Sequence, residues 1–124
     1  MKERNSMILI KEFEFDAAHN LTRYHGKCEK LHGHTYKLVV KLKGTRDHED
    51  MVFDFVQLKN IVKAEIIDKF DHAYLNDIIE NPTAENIAVY VWDKLAPLVK
   101  RDNAELYEVE VWETKTSGLV YRGE

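Results

Sequence analysis

Six histidines stand in this chain of 124 residues, and three of them fall where one metal ion could use them. His32 and His34 flank Gly33 in a stretch that alternates like a strand. Residues two apart on a strand project to the same face with backbones about 7 Å apart, so both imidazoles can reach one ion at about 2.0 Å. Gly33 removes the side chain between them and leaves room for a bulge or a close backbone approach. His19 closes another alternating stretch on the parity of Phe13 and Phe15, so it faces inward as well. Antiparallel pairing of the two strands brings the three rings together. Three histidines plus water describe an open, catalytic zinc site and not a closed structural one. The competing reading is a set of packed, hydrogen-bonded histidines. His25, in a polar loop, and His48, beside Asp47 and Glu49, read as solvated and take no metal role.

Cys28 lies four residues before His32 in Lys27-Cys28-Glu29-Lys30. Two ammonium groups and a nearby zinc would favour its thiolate and make it a base or nucleophile near neutral pH; otherwise it is a spectator thiol. Asp71-His72 is open to two readings, a local hydrogen-bonded cap or a carboxylate that orients and charges an imidazole for proton transfer. Glu113 continues the parity of Tyr107, Val109 and Val111, which faces the core, while Glu108 and Glu110 take the other face. An inward carboxylate must find a partner or bear a desolvation cost of several kcal/mol. A ligand's N–H groups or a buried salt bridge would each satisfy it.

The elements that carry these residues are legible from periodicity. Met7 to His19 alternates with period 2, as does His32 to Lys43, where His32, His34, Tyr36, Leu38, Val40 and Leu42 share a face. Asn20 to Leu31 and Gly44 to Asp50 read as loops. After the short apolar run Met51 to Phe55, Leu58, Ile61, Val62, Ile66 and Phe70 recur at helical spacing. A second helix opens after Asn81-Pro82 with Thr83 as N-cap, carries Ala84, Ile87, Ala88, Val91, Leu95 and Leu98 as its apolar stripe, and reaches its last turn at Pro97. Strands over about Leu106 to Thr114 and Leu119 to Arg122, joined by a turn at Ser117-Gly118, complete the order ββααββ. Short connections between sequential strands imply an antiparallel four-stranded sheet in a single α+β domain, with both helices covering one face. Its free edges need cover, and oligomer contacts are one way to supply it.

Composition narrows the function classes. Eighteen Lys+Arg against twenty-two Asp+Glu give a net charge of −4, which argues against a general nucleic-acid binder. No apolar run approaches the ~20 residues of a membrane-spanning helix. The charged opening, Met1 to Ser6, precedes only four apolar residues and reads as a short tail (1–6), not a signal peptide, before one domain over 7–124. One cysteine cannot form an internal disulfide, which fits a reducing cytoplasm.

Six motifs then occur in order: Phe15-Asp16-Ala17-Ala18-His19, Cys28-x-x-x-His32-Gly33-His34-x-Tyr36, Phe53-Asp54-Phe55, Phe70-Asp71-His72-x-x-Leu75-Asn76, Pro82-Thr83-Ala84-Glu85-Asn86 and Val111-x-Glu113-Thr114. Together they resemble the 6-pyruvoyltetrahydropterin synthase family over almost the whole chain from Met7. The three-residue gap between Cys28 and His32 and the ending Tyr121-Arg122-Gly123-Glu124 resemble its bacterial branch, 6-carboxytetrahydropterin synthase of queuosine biosynthesis. The resemblance implies the tunnelling fold, in which subunits join their sheets into a barrel, commonly as a homohexamer built from two trimers with active sites between subunits.

By motif, the resemblance implies Zn2+ on His19, His32 and His34, Cys28 as proton acceptor, Asp71 and His72 as proton relay, and Glu113 as the anchor of a pterin ring. The implied substrate is 7,8-dihydroneopterin triphosphate, with Lys27, Lys30 and Arg23 as candidates to meet the triphosphate. The implied reaction yields 6-carboxy-5,6,7,8-tetrahydropterin, triphosphate and acetaldehyde. Three rivals stand beside it: a 6-pyruvoyltetrahydropterin synthase on the same substrate, an epimerase or aldolase acting on dihydroneopterin, and a non-catalytic zinc- or pterin-binding module. A binding module would have no use for a base such as Cys28 with His72.

Overall fold

A computed structural model describes residues 5–22 and 30–124. Two long strands dominate it, β1 (Met7–His19) and β2 (His32–Gly44), paired antiparallel along their whole length. Their burial alternates as the sequence implies. Phe15, Ala17 and His19 are buried on one face of β1, and Tyr36, Leu38, Val40 and Leu42 on the matching face of β2. Register places His19 directly opposite His32, Ala17 opposite His34 and Phe15 opposite Tyr36.

The helical segment begins with α1 (Phe55–Val62), whose N-cap Asp54 accepts hydrogen bonds from the Val56 and Gln57 N–H groups at 2.7 and 3.3 Å. It continues through a π-helical turn (Lys63–Ile67) into a last α-helical turn, α2 (Asp68–Phe70). The buried residues Leu58, Val62, Ile66 and Phe70 explain the π turn. A spacing of four drifts about 40° per step around a 3.6-residue helix, and a wider turn takes part of that drift back, keeping the stripe on the sheet. The second long helix, α3 (Ala84–Val99), is capped by Thr83, whose Oγ1 accepts from the Asn86 N–H at 3.1 Å. Both helical segments pack their buried residues into one core with the β1 and β2 faces just named.

The sheet is finished by β4 (Ala104–Trp112) and β5 (Gly118–Tyr121), and between the helices lies β3 (Ala73–Tyr74). The order β3-β1-β2-β4-β5 makes five strands and not the four expected, and β3 runs parallel to β1, so the sheet is not wholly antiparallel. Two residues are too few for a period-2 pattern to register. What creates β3 is tertiary: the Asp71 carboxylate accepts from the Asp16 N–H at 2.9 Å, and the His72 N–H donates to the Asp16 carbonyl at 2.6 Å, laying the chain against β1.

A second correction concerns β4. Lys41 pairs with Glu108 but Leu42 pairs with Leu106, so Tyr107 is the extra residue of a β-bulge. The bulge moves Tyr107 off the expected core face, which Val109 and Val111 keep and where Leu106 takes its place, and the Tyr107 ring lies under the cations of Lys43 and Arg122. Glu108, expected on the open face, is only 4% exposed there, held by Lys41 at 2.6 Å and by Arg122 at 3.0 Å.

Candidate active site

The end of the β1–β2 ribbon holds the three imidazoles together. Because His19 pairs with His32, and His34 lies two residues along on the same face, ring centroids stand 4.7 Å apart for His19–His32, 4.7 Å for His32–His34 and 5.2 Å for His19–His34. One nitrogen from each ring lies within 4.8 Å of the others. A tetrahedral zinc needs about 3.3 Å between ligand nitrogens, so a modest contraction would close them on one ion.

The donor set fits a metal. Nδ1 of His32 lies 2.9 Å from the Lys30 carbonyl oxygen. A carbonyl only accepts, so Nδ1 carries the hydrogen and Nε2 keeps its lone pair. Nε2 of His34 is buried without a hydrogen-bond partner, an arrangement a cation would complete. His19, 1% exposed, has its Nδ1 hydrogen-bonded to the Tyr36 hydroxyl, leaving Nε2 as the nitrogen toward the cluster.

Glu113 follows β4 directly, and its N–H donates to the Ser117 carbonyl at 3.0 Å in the turn before β5. Its Oε1 lies 3.5 Å from His19 Nε2 and 3.7 Å from His34 Nε2, while its side chain is 31% exposed. The carboxylate therefore borders the histidine cluster and keeps an edge toward solvent.

Asp71 and His72 form a separate group. His72 Nδ1 lies 3.1 Å from Asp71 Oδ2, and Asp16 joins them within metal-ligand spacing, all three exposed. The bond from the Asp16 N–H, with the His72 contact, holds the Asp71 carboxyl below the usual carboxylate range. Asp71 is therefore no merely local cap, since it ties β1 to the chain leaving α2 while it grips the imidazole. His72 has a φ of 59°, in the left-handed region that a residue with a Cβ adopts at a cost of about 1 kcal/mol. An open cleft of about 460 Å³ is lined by Asp16, Gly33, His34, Thr35 and His72, so the two groups border common space. Cys28 lies outside the described residues, as do Arg23, His25 and Lys27; Lys30 is exposed.

Three residues at the site stand in the sequence motifs but received no role from them. Tyr36 continues the face of His32 and His34, so period-2 counting alone would have found it. Asp16, which accepts from Thr35 Oγ1 at 2.5 Å, and Asn76, whose amide brackets the Asn20 main chain at 3.0 and 2.8 Å, act across more than fifty residues or between strands, where local spacing carries no signal.

Comparison with known proteins gives this constellation a class. The family profile described as 6-pyruvoyl tetrahydropterin synthase matches residues 8–124. The chain belongs to that family, and it is a pterin synthase of the lyase type. It is 40% identical over 121 residues to the 6-carboxy-5,6,7,8-tetrahydropterin synthase of Synechocystis, covering 92% of each chain. It is 36% identical over 135 residues to the 6-pyruvoyl tetrahydrobiopterin synthase of Dictyostelium discoideum, covering 96% of this chain and 98% of the relative. Among solved structures, the 6-pyruvoyl tetrahydropterin synthase of Caenorhabditis elegans superposes with a TM-score of 0.84 at 27% identity and full coverage of both chains.

Proposed function

We propose that the chain is a zinc-dependent lyase that converts 7,8-dihydroneopterin triphosphate to 6-carboxy-5,6,7,8-tetrahydropterin, releasing triphosphate and acetaldehyde, in the cytoplasmic route to queuosine. The observation that carries the reading is the convergence of His19, His32 and His34, with the Glu113 carboxylate 3.5 and 3.7 Å from two of the rings. The Cys28 to His32 spacing and the Tyr121 to Glu124 ending support the carboxy product.

In this reading His19, His32 and His34 hold Zn2+, which when bound supplies Lewis acidity to the substrate's side-chain hydroxyls. Glu113 accepts hydrogen bonds from the N–H groups of the pterin ring and fixes its orientation, the kind of positioning from which much of a rate gain arises. Cys28, as thiolate, takes a proton from the substrate side chain. His72, held by Asp71 and largely exposed, gives or receives protons elsewhere on that side chain, reaching the thiol across a subunit boundary. The electrons released redistribute into the ring, which is reduced without an external nicotinamide. The active assembly is a homohexamer, two trimers whose sites lie between subunits; the outer edges of β5 and of β1 before Ala17, which no strand covers among the described residues, support it.

Relatives carry two synthase names and, in Pyrococcus furiosus at 34% identity, the name dihydroneopterin monophosphate aldolase, so the product is what the experiment reads. Metal-analysed protein incubated with 7,8-dihydroneopterin triphosphate should yield the 6-carboxy product with acetaldehyde and triphosphate by mass spectrometry. A 6-pyruvoyl product would move the assignment to the second reading, and zinc-loaded protein inert on this substrate would overturn both. Cys28→Ala should keep zinc and substrate binding and lose about 10³-fold in turnover.

A further inference from the structure

We propose that Tyr36 is a positioning residue for the metal centre: its phenol oxygen accepts the Nδ1 hydrogen of His19 and so aims the Nε2 lone pair at His32 and His34. The inference rests on the metal-centre reading above and deepens it. A neutral imidazole has one hydrogen and two nitrogens, and only the nitrogen without hydrogen can bind a metal. His19 is 1% exposed, so bulk water has little part in choosing its tautomer. The group on its Nδ1 is the Tyr36 hydroxyl.

His32 and His19 are held in physically different ways. The Lys30 carbonyl on His32 Nδ1 can only accept, which permits one tautomer. A hydroxyl both donates and accepts, so Tyr36 permits either tautomer of His19, and a cation on Nε2 selects the one in which Tyr36 accepts. Tyr36 can serve this purpose because packing holds its ring on every side. It is fully buried, and its ring stacks on Phe15 at 4.9 Å with 9° between planes, while Phe70 meets Phe15 edge-on at 5.5 Å. The register that sets Phe15 opposite Tyr36 is the one that sets His19 opposite His32, so the phenol and the ring it orients are fixed by the same ladder.

Tyr36→Phe tests this, because it deletes one oxygen and keeps the stacked ring. Zinc affinity is measured by chelator competition, the ligand field by visible absorption of the Co(II)-substituted protein, and the His19 hydrogen by long-range 1H–15N spectra of the metal-loaded chain. Wild-type protein should bind one zinc per chain with the His19 hydrogen on Nδ1. Tyr36→Phe should bind zinc about 10- to 100-fold more weakly with shifted Co(II) bands, the range typical of partners that orient metal ligands. Val40→Ala, a packing change on the same face of β2, should lower thermal stability yet keep zinc affinity within about twofold and the Co(II) bands in place. Unchanged affinity and bands in Tyr36→Phe, or equal loosening by Val40→Ala, would overturn the role of Tyr36 alone. A wild-type chain that binds no zinc would overturn the metal-centre reading and this inference with it.

Discussion

A histidine offers a metal whichever nitrogen its other contact leaves over, so the chemistry of the cluster is decided one hydrogen bond at a time. The Lys30 carbonyl settles this for His32, and the buried Nε2 of His34, with no hydrogen bond and the Glu113 carboxylate 3.7 Å away, is the nitrogen left for a cation. Removing one imidazole leaves the site one nitrogen ligand short. His32→Ala is expected to lose at least about 100-fold in zinc affinity, while His48→Ala, on an exposed turn, should match wild type. Metal content after desalting measures both. A His32→Ala chain that still carries one zinc would refute the ligand set.

The β4 bulge is the element with the largest unforeseen consequence. By inserting Tyr107 it turns Glu108 beneath Lys41, and the ammonium then bridges Glu108 at 2.6 Å and Glu110 at 2.7 Å, while the Trp112 indole N–H donates to Glu110 at 2.9 Å. Lys41→Met would leave two carboxylates side by side, one of them retaining Arg122. It should cost about 2 kcal/mol in urea unfolding, less than a fully buried pair because Lys41 keeps partial exposure. The pH dependence has two limbs. The bond from Lys41 holds the Glu110 carboxyl low, so its contribution is full above the unfolded value of about 4.3 and is lost as pH falls through the lower folded one. The bonds to Glu108 and Glu110 raise Lys41, so its contribution is full below about 10.4 and is lost as pH rises through the higher folded value. The difference in melting temperature between wild type and Lys41→Met should thus be flat from about pH 5 to 10 and shrink outside it. A difference that grows in acid would contradict the network.

At the scale of the whole molecule, the sheet ends in edges. β3 covers only Ala17 and Ala18 on the outer side of β1, and Met7 to Asp16 has no further strand beside it among the described residues. Ile8, Ile10 and, on β5 at the other edge, Val120 are about half exposed, an apolar display that an edge left in water would ordinarily avoid. In the proposed barrel a neighbouring subunit's strand covers them. Ile10→Asp would put a charge in that seam and is expected to convert the assembly to smaller species in light scattering, with activity falling in step if, as proposed, the sites lie between subunits. A hexamer that survives the change with full activity would count against edge pairing at β1.

Periodicity alone was enough to place both long strands, the first helical stripe, the Thr83 cap and most of the second stripe, because side-chain alternation and capping are local properties of the chain; at the end of α3, however, Leu98 is 41% exposed and Val99 is buried in its place. The inward parity of His19, His32 and His34 was legible for the same reason. What local spacing could not carry were the features made by contacts between distant segments: β3, created by Asp71 and His72 binding Asp16, the bulge at Tyr107, and the hold of Tyr36 on His19. Each depends on strand register or on a partner far along the chain. The residue types thus determined that a three-histidine centre could form, and the tertiary structure decided which nitrogen each ring presents and what stands beside it.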